Sequence, residues 1–200
     1  MRRTAALLKP AAPPRKALPH LLFFTDPVRT PDPAAVARTL PAGSAVVFRT
    51  FGAPDAESRA LQLLAVARQR RLRLLIGADW RLARRIGADG LHLPERLARH
   101  ARALKTARPG WTVTTAAHSL RAARAALAAG ADAAVVSAAF ASNSRSAGPP
   151  LGPVRLARLV RAAGGPVYAL GGINNETARR LKDAGLVGLA AVEGLAGART

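Results

Sequence analysis

Cysteine is absent from this 200-residue chain, which removes disulfides, thiolate nucleophiles and every cysteine-ligated metal site. Acids are scarce: 11 against 31 basic residues, a formal net charge of +20. Lysine is scarce too, confined to Lys9, Lys16, Lys105 and Lys182, so the positive charge is almost all arginine. Aromatic residues make up only 4%. A basic chain without aromatic residues interleaved among its cations lacks the stacking platform of a single-strand binder. The arginines also recur at helical spacing (Arg81/Arg84/Arg85, Arg96/Arg99/Arg102, Arg121/Arg124, Arg155/Arg158), which reads as solvated helix faces and disfavours nucleic acid as partner. No apolar run approaches the ~20 residues of a membrane span. The expected location is cytoplasmic, with no membrane partner.

Half the residues are hydrophobic, enough for one domain with a core. Residues 1–19 are basic and proline-studded and read as a tail, either frayed or adding one helical turn. From residue 20 to 195, short apolar runs alternate with Ala/Leu/Arg helices. The runs are His20–Phe24, Ala45–Phe48, Leu72–Ile76, Gly90–Leu93, Thr112–Ala116, Ala133–Val136, Val167–Leu170 and Leu186–Val192. The helices between them span roughly 33–40, 55–70, 80–86, 95–107, 119–129, 152–163 and 174–184. Near-continuous apolar runs indicate parallel strands buried on both faces. Eight such units predict an α/β fold, a single (β/α)8 TIM barrel with its last helix short or missing; an open doubly wound sheet is the runner-up. IGADGLHL, AGADAAVV and DAGLVGLA form a weak repeat of helix end, glycine cap, turn and strand.

Barrel enzymes work at the carboxyl ends of their strands, so position decides which polar residues matter. Gly171-Gly172, between a strand and a helix, leave backbone N–H groups bare and suit a phosphate, with Gly194 in the following strand's loop as a further donor. The long loop 139–152 carries Ser142, Asn143, Ser144 and Arg145, which are phosphate-binding types, and Arg49 ends the second strand. His118 and His92 stand at strand ends as candidate acid–base groups, against the alternative of packed barrel histidines. Asp89 and Asp132 precede strands and read as structural turn residues at the opposite end. Asp26, Asp79, Glu95 and Glu193 follow strands and have open roles.

GADGLHLPE, TTAAHS, GADAAVVSAAFASNSRSAGPPLG and PVYALGGI resemble, in order and spacing, the motifs GADGVHLGQ, GVSVHS, GADYVGLGPIFPTSTKKDAGPPLG and PVVAIGGI of the thiamine phosphate synthase and thiazole tautomerase (TenI-like) family. The resemblance covers residues 20–195. It implies a thiamine-biosynthesis barrel whose partner is a small phosphorylated thiazole or pyrimidine, and it leaves a homodimer open. Thiazole phosphate would sit at Gly171, Gly172 and the Gly194 loop; a pyrophosphate would meet Arg49, Ser142, Ser144 and Arg145. The synthase joins an aminopyrimidine pyrophosphate to the thiazole phosphate with magnesium. Its metal aspartates fall at Ala78 and Leu97 here, and Val47 and Phe51 replace the other polar residues of the second strand's motif. Asp79 and Glu95 offer only a shifted metal site. The tautomerase branch transfers protons on a thiazole carboxylate phosphate without metal, through a histidine at the position of His118. The expectation therefore favours His118-dependent proton transfer with no required cofactor. The alternatives are a synthase with a shifted magnesium site and a non-catalytic phosphate-binding barrel.

Overall fold

A computed structural model of the chain describes residues 1–142, 144 and 148–195. Eight parallel strands close into a barrel in chain order: β1 (Leu21–Phe24), β2 (Ala45–Phe48), β3 (Arg73–Gly77), β4 (Gly90–Leu93), β5 (Thr112–Ala117), β6 (Ala133–Val136), β7 (Val167–Ala169) and β8 (Gly188–Ala191). β8 returns to β1 with Leu22 opposite Ala190, which closes the ring. The helices are α1 (Arg2–Ala6), α2 (Pro33–Thr39), α3 (Ala56–Arg70), α4 (Trp80–Ile86), α5 (Ala101–Ala107), α6 (Leu120–Ala128), α7 (Gly152–Ala163) and α8 (Asn175–Arg179). No helix among the described residues is long and apolar enough to cross a membrane.

Strand side chains alternate between two cores. One set, including Leu22, Phe24, Val47, Leu75, Val135 and Tyr168, fills the barrel interior. The other, including Phe23, Val46, Leu74, Ile76 and Leu91, packs under the helices. Both faces of each strand are buried, which is why the runs read as continuously apolar.

The repeat has a physical basis at the bottom of the barrel. Asp89, just before β4, accepts from the N–H of Leu74 at 2.8 Å and pairs with Arg68. Asp132, just before β6, does the same with the N–H of Val113 at 2.8 Å and with Lys105 and Lys16. Each carboxylate satisfies a strand N–H of its neighbour, the structural turn role expected of both.

Two predicted helices differ from expectation. Residues 95–107 divide into a 3₁₀ turn, Glu95–His100, and α5. The stretch 174–184 is helical only over α8, which starts in a capping box of Asn174 and Thr177, and the chain continues from Arg180 in turns. Within residues 1–19, Arg2–Ala6 form one short helix and the remainder is non-helical. α1 lies on α8 and β8, with Ala5 and Leu8 buried. Leu18 enters the interior core, and Pro19 accepts from the Tyr168 hydroxyl at 2.6 Å. Past β8 the described chain holds a single 3₁₀ turn, Glu193–Leu195, so α1 covers wall that a final helix would otherwise cover.

Candidate active site

A cavity of about 590 Å³ opens over the carboxyl ends of the strands, within the ordinary range for small-molecule sites. Its floor and one wall come from the β6, β7 and β8 loops: Ser137, Gly171, Gly172 and Gly194, with Ser142 and Ser144 from the long loop. Arg29 and Arg49, from the β1 and β2 loops, close the other side.

Gly171 and Gly172 both adopt left-handed backbone, φ +97° and +63°. A Cβ on Gly172 would lie 2.3 Å from the Ala141 carbonyl oxygen, so only glycine lets the β6 and β7 loops approach this closely. The N–H groups of Gly171 and Gly172 enter none of the loop hydrogen bonds among the described residues, although their carbonyls do: Phe140 donates to Gly171 and Thr177 to Gly172. Both glycines line the cavity, and backbone N–H groups without a partner among the described residues are the kind of donor that suits an anion.

Arg49 is the most constrained cation of the site. Its Nε donates to the Thr25 carbonyl at 2.7 Å, and its guanidinium stacks 4.9 Å from the Phe51 ring centre. Burial pulls its pKa down to about 10. Asp26 holds both guanidiniums, Arg29 at 2.9 Å and Arg49 at 3.4 Å. Burial alone would raise the Asp26 pKa; hydrogen bonds from the Arg29 side chain and backbone override that and hold it below its ordinary value. Glu193 lies 3.9 Å from Arg29 on the other side.

The two candidate histidines have different surroundings. His118 is exposed, its Nδ1 lies 3.2 Å from the Ser137 hydroxyl, and its backbone N–H donates to Glu95 at 2.9 Å. Ser137 lines the cavity, so a proton can pass between His118 and a bound molecule through one hydroxyl. His92 is buried inside the barrel, edge-on to Phe24 with ring centres 4.8 Å apart, its Nδ1 3.0 Å from the Thr114 hydroxyl. Burial, with Arg49 adding repulsion, pushes its pKa down to about 3. It is a neutral packed histidine at pH 7 and does not line the cavity.

This burial has a measurable consequence. The unfolded chain takes up the His92 proton near pH 6.5, whereas the folded barrel refuses it until about pH 3. The stabilisation that His92 confers by staying neutral is complete above 6.5 and is lost as pH falls through that window. At pH 5 the expected loss is about 2 kcal/mol. Urea unfolding at pH 7.5 and 5 should show it in the native chain and not in His92→Phe; equal losses in the two would refute it.

The remaining expected residues separate. Asp79 caps α4, its Oδ1 accepting from Leu82 N–H at 2.9 Å, and Glu95 is engaged with His118. Neither lines the cavity, and among the described residues no three His, Asp or Glu side chains converge as a metal site. Asn143 and Arg145 lie outside the described residues. Sequence reading missed Arg29, Ser137 and the Asp26 clamp. Ser137 was findable, since it continues the inward period of Ala133 and Val135. The clamp was not, because Asp26 and Arg49 stand 23 positions apart.

Fold and cavity together define a single-domain (β/α)8 barrel with a small-molecule site at the carboxyl ends of its strands. A family model described as thiamine monophosphate synthase matches residues 21–195, and the chain belongs to that family, one of thiamine biosynthesis. It is 32% identical to a thiamine-phosphate synthase of Alcanivorax borkumensis, over 92% of this chain and 88% of that one. It is 35% identical to the thiamine-phosphate synthase of Anaeromyxobacter dehalogenans, over 84% of this chain and 77% of that one. Among solved structures, thiamine phosphate pyrophosphorylase from Pyrococcus furiosus superposes with a TM-score of 0.75 at 24% identity, covering 90% of this chain and 88% of that one, a likeness of fold.

Proposed function

We propose that the barrel binds a thiazole phosphate, with the phosphate on the N–H groups of Gly171, Gly172 and Gly194, and that His118 moves a proton on the bound ring. One observation carries this reading: His118 Nδ1 stands 3.2 Å from Ser137 Oγ, and Ser137 shares the cavity with the bare Gly171-Gly172 donors. A tautomerisation takes a proton from one ring position and returns it at another, so no oxidant, leaving group or cofactor is needed. Arg49, Ser142 and Ser144 line other parts of the same cavity.

The names of the relatives favour a second reading, a synthase that joins a pyrimidine pyrophosphate to the thiazole phosphate. The side chains support the first more strongly. A magnesium ion needs hard oxygen ligands in near-octahedral array. Ala78 and Leu97 stand at the family's metal positions, Asp79 spends its carboxylate on a helix cap, and Asp26 is neutralised by two guanidiniums. These residues do not fit a preformed magnesium site.

Two assays decide between the readings. Proton exchange on a thiazole carboxylate phosphate, unaffected by EDTA, is expected. Thiamine phosphate formation from the two substrates at millimolar magnesium, lost with EDTA and in Asp79→Ala, would overturn the reading and establish the synthase. Calorimetric binding of thiazole phosphate with both assays silent would leave a binding protein.

A further inference from the structure

The arginines are not all scattered over solvated faces. A second groove, about 300 Å³, is lined by α7 and by the end of α8 with the turns after it, and shares no lining residue with the first cavity. Arg158 and Arg161 of α7, spaced three apart, face it from one side; Arg179, Arg180 and Lys182 face it from the other. One acid, Asp183, shares the groove. Some cations elsewhere have partners, Arg68 on Asp89, Arg85 on Glu57 and Lys105 on Asp132, and others, such as Arg38 and Arg121, stand exposed on separate helices; the groove differs in gathering five cations around one concavity. No side chain of the five groove cations forms an ion pair with an acid or donates a hydrogen bond among the described residues. Like charges collected in one concavity repel each other and concentrate anions there.

Two details narrow the occupant. The Arg180 guanidinium stacks 5.2 Å from the Phe140 ring centre, which orients it and leaves its N–H edge for a ligand. The floor is apolar, made of Pro153, Ala157 and Val154, the last 65% exposed. A guanidinium rim matches phosphate oxygens, and an apolar floor matches a flat heterocycle. We infer that the α7–α8 groove binds a nucleoside polyphosphate, its phosphates on Arg158, Arg161 and Arg180 and its base on Val154 and Ala157. A single strand, whose phosphodiesters carry one charge each, is the competing occupant. The volume, at the small end for ligand sites, favours the free nucleotide.

The test is fluorescence anisotropy on the full chain at two salt concentrations. The probes are a labelled ATP analogue, a labelled 12-nucleotide strand, and unlabelled inorganic triphosphate as competitor. Arg158→Gln/Arg161→Gln is compared with Arg38→Gln/Arg121→Gln, which removes the same charge from exposed positions elsewhere. Losing two charge-assisted contacts should weaken ATP-analogue binding about tenfold or more, and the control pair less than about twofold. Val154→Ser, which removes apolar surface without adding charge, should weaken ATP-analogue binding and leave inorganic triphosphate binding unchanged. A strand bound more tightly than the ATP analogue, with the same arginine dependence, would overturn the nucleotide and make the groove a nucleic-acid contact. Equal losses in the two double variants, or no binding, would overturn the site. Triphosphate competing as well as ATP would overturn the role of the apolar floor.

Discussion

His118→Asn is expected to slow proton exchange on a thiazole carboxylate phosphate by about 10²–10⁴-fold, with thiazole phosphate affinity within about twofold of the native chain. The separation follows from where the residue stands. Its ring is exposed and meets the cavity only through the Ser137 hydroxyl, whereas the proposed phosphate donors are backbone groups of other loops. Asparagine keeps a polar group near Ser137 but cannot take up and release a proton near neutral pH. An exposed substitution of this kind changes stability by no more than about 0.5 kcal/mol, so lost turnover would not report unfolding. Ser137→Ala should act through His118: a smaller rate loss, about tenfold, with a displaced pH–rate profile. Calorimetry and deuterium exchange on the same preparations measure both halves. An exchange rate within about threefold of native in His118→Asn would remove the acid–base assignment.

The second large effect concerns the barrel itself. Gly90 opens β4 opposite Thr112 of β5, and a Cβ there would lie 1.9 Å from the Thr112 carbonyl oxygen and 2.7 Å from its N and C atoms. These are backbone atoms of the partner strand, and they can move only by breaking the ladder. Gly90→Ala should therefore cost about 4 kcal/mol or more, a large share of the 5–15 kcal/mol typical of a domain. Gly87→Ala is the comparison. Gly87 is also left-handed, φ +71°, but a Cβ there meets nothing within 4 Å, so backbone strain alone operates and the cost should be about 1 kcal/mol. Urea midpoints for the three chains rank the effects. A Gly90→Ala protein within 1 kcal/mol of native would show that β4 and β5 do not pack as described.

Much of this was legible in the residues, for local reasons. A parallel strand buried on both faces has to be apolar along its length, so eight runs gave eight strands with ends off by one or two residues. Asp89 and Asp132 act on strand N–H groups beside their own turns, and the repeat carries them. The glycine pair is visible because its conformation demands glycine. What could not be read depends on contacts across the ring. The environment of His92 is set by Phe24, Arg49 and Thr114 from three other strands or their ends, so a strand-end histidine with acid–base potential proved to be a neutral core residue. The pairing of Arg29 and Arg49 on one carboxylate likewise exists only once β1 and β2 lie side by side. The early end of α8 was hidden because 174–184 keeps a helical pattern beyond the point where its hydrogen bonding stops.

The seam between β8 and β1, with α1 laid across α8 and β8, gives the ribosome a particular task. The first strand emerges without its second neighbour, and the first helix without the surface that buries Ala5. Both wait for the chain through Ala191, a delay on the order of ten seconds or more at ordinary elongation rates. Any strands that pair during that interval can form only an open parallel sheet with a free edge, the kind of surface that recruits chaperones. A circular permutant that joins the two ends and opens the ring between β4 and β5 would be born with that seam already intact. Its β4–β5 pair would wait instead, so its yield from cell-free translation without chaperones, set against that of the native order, would show whether the place of the seam matters.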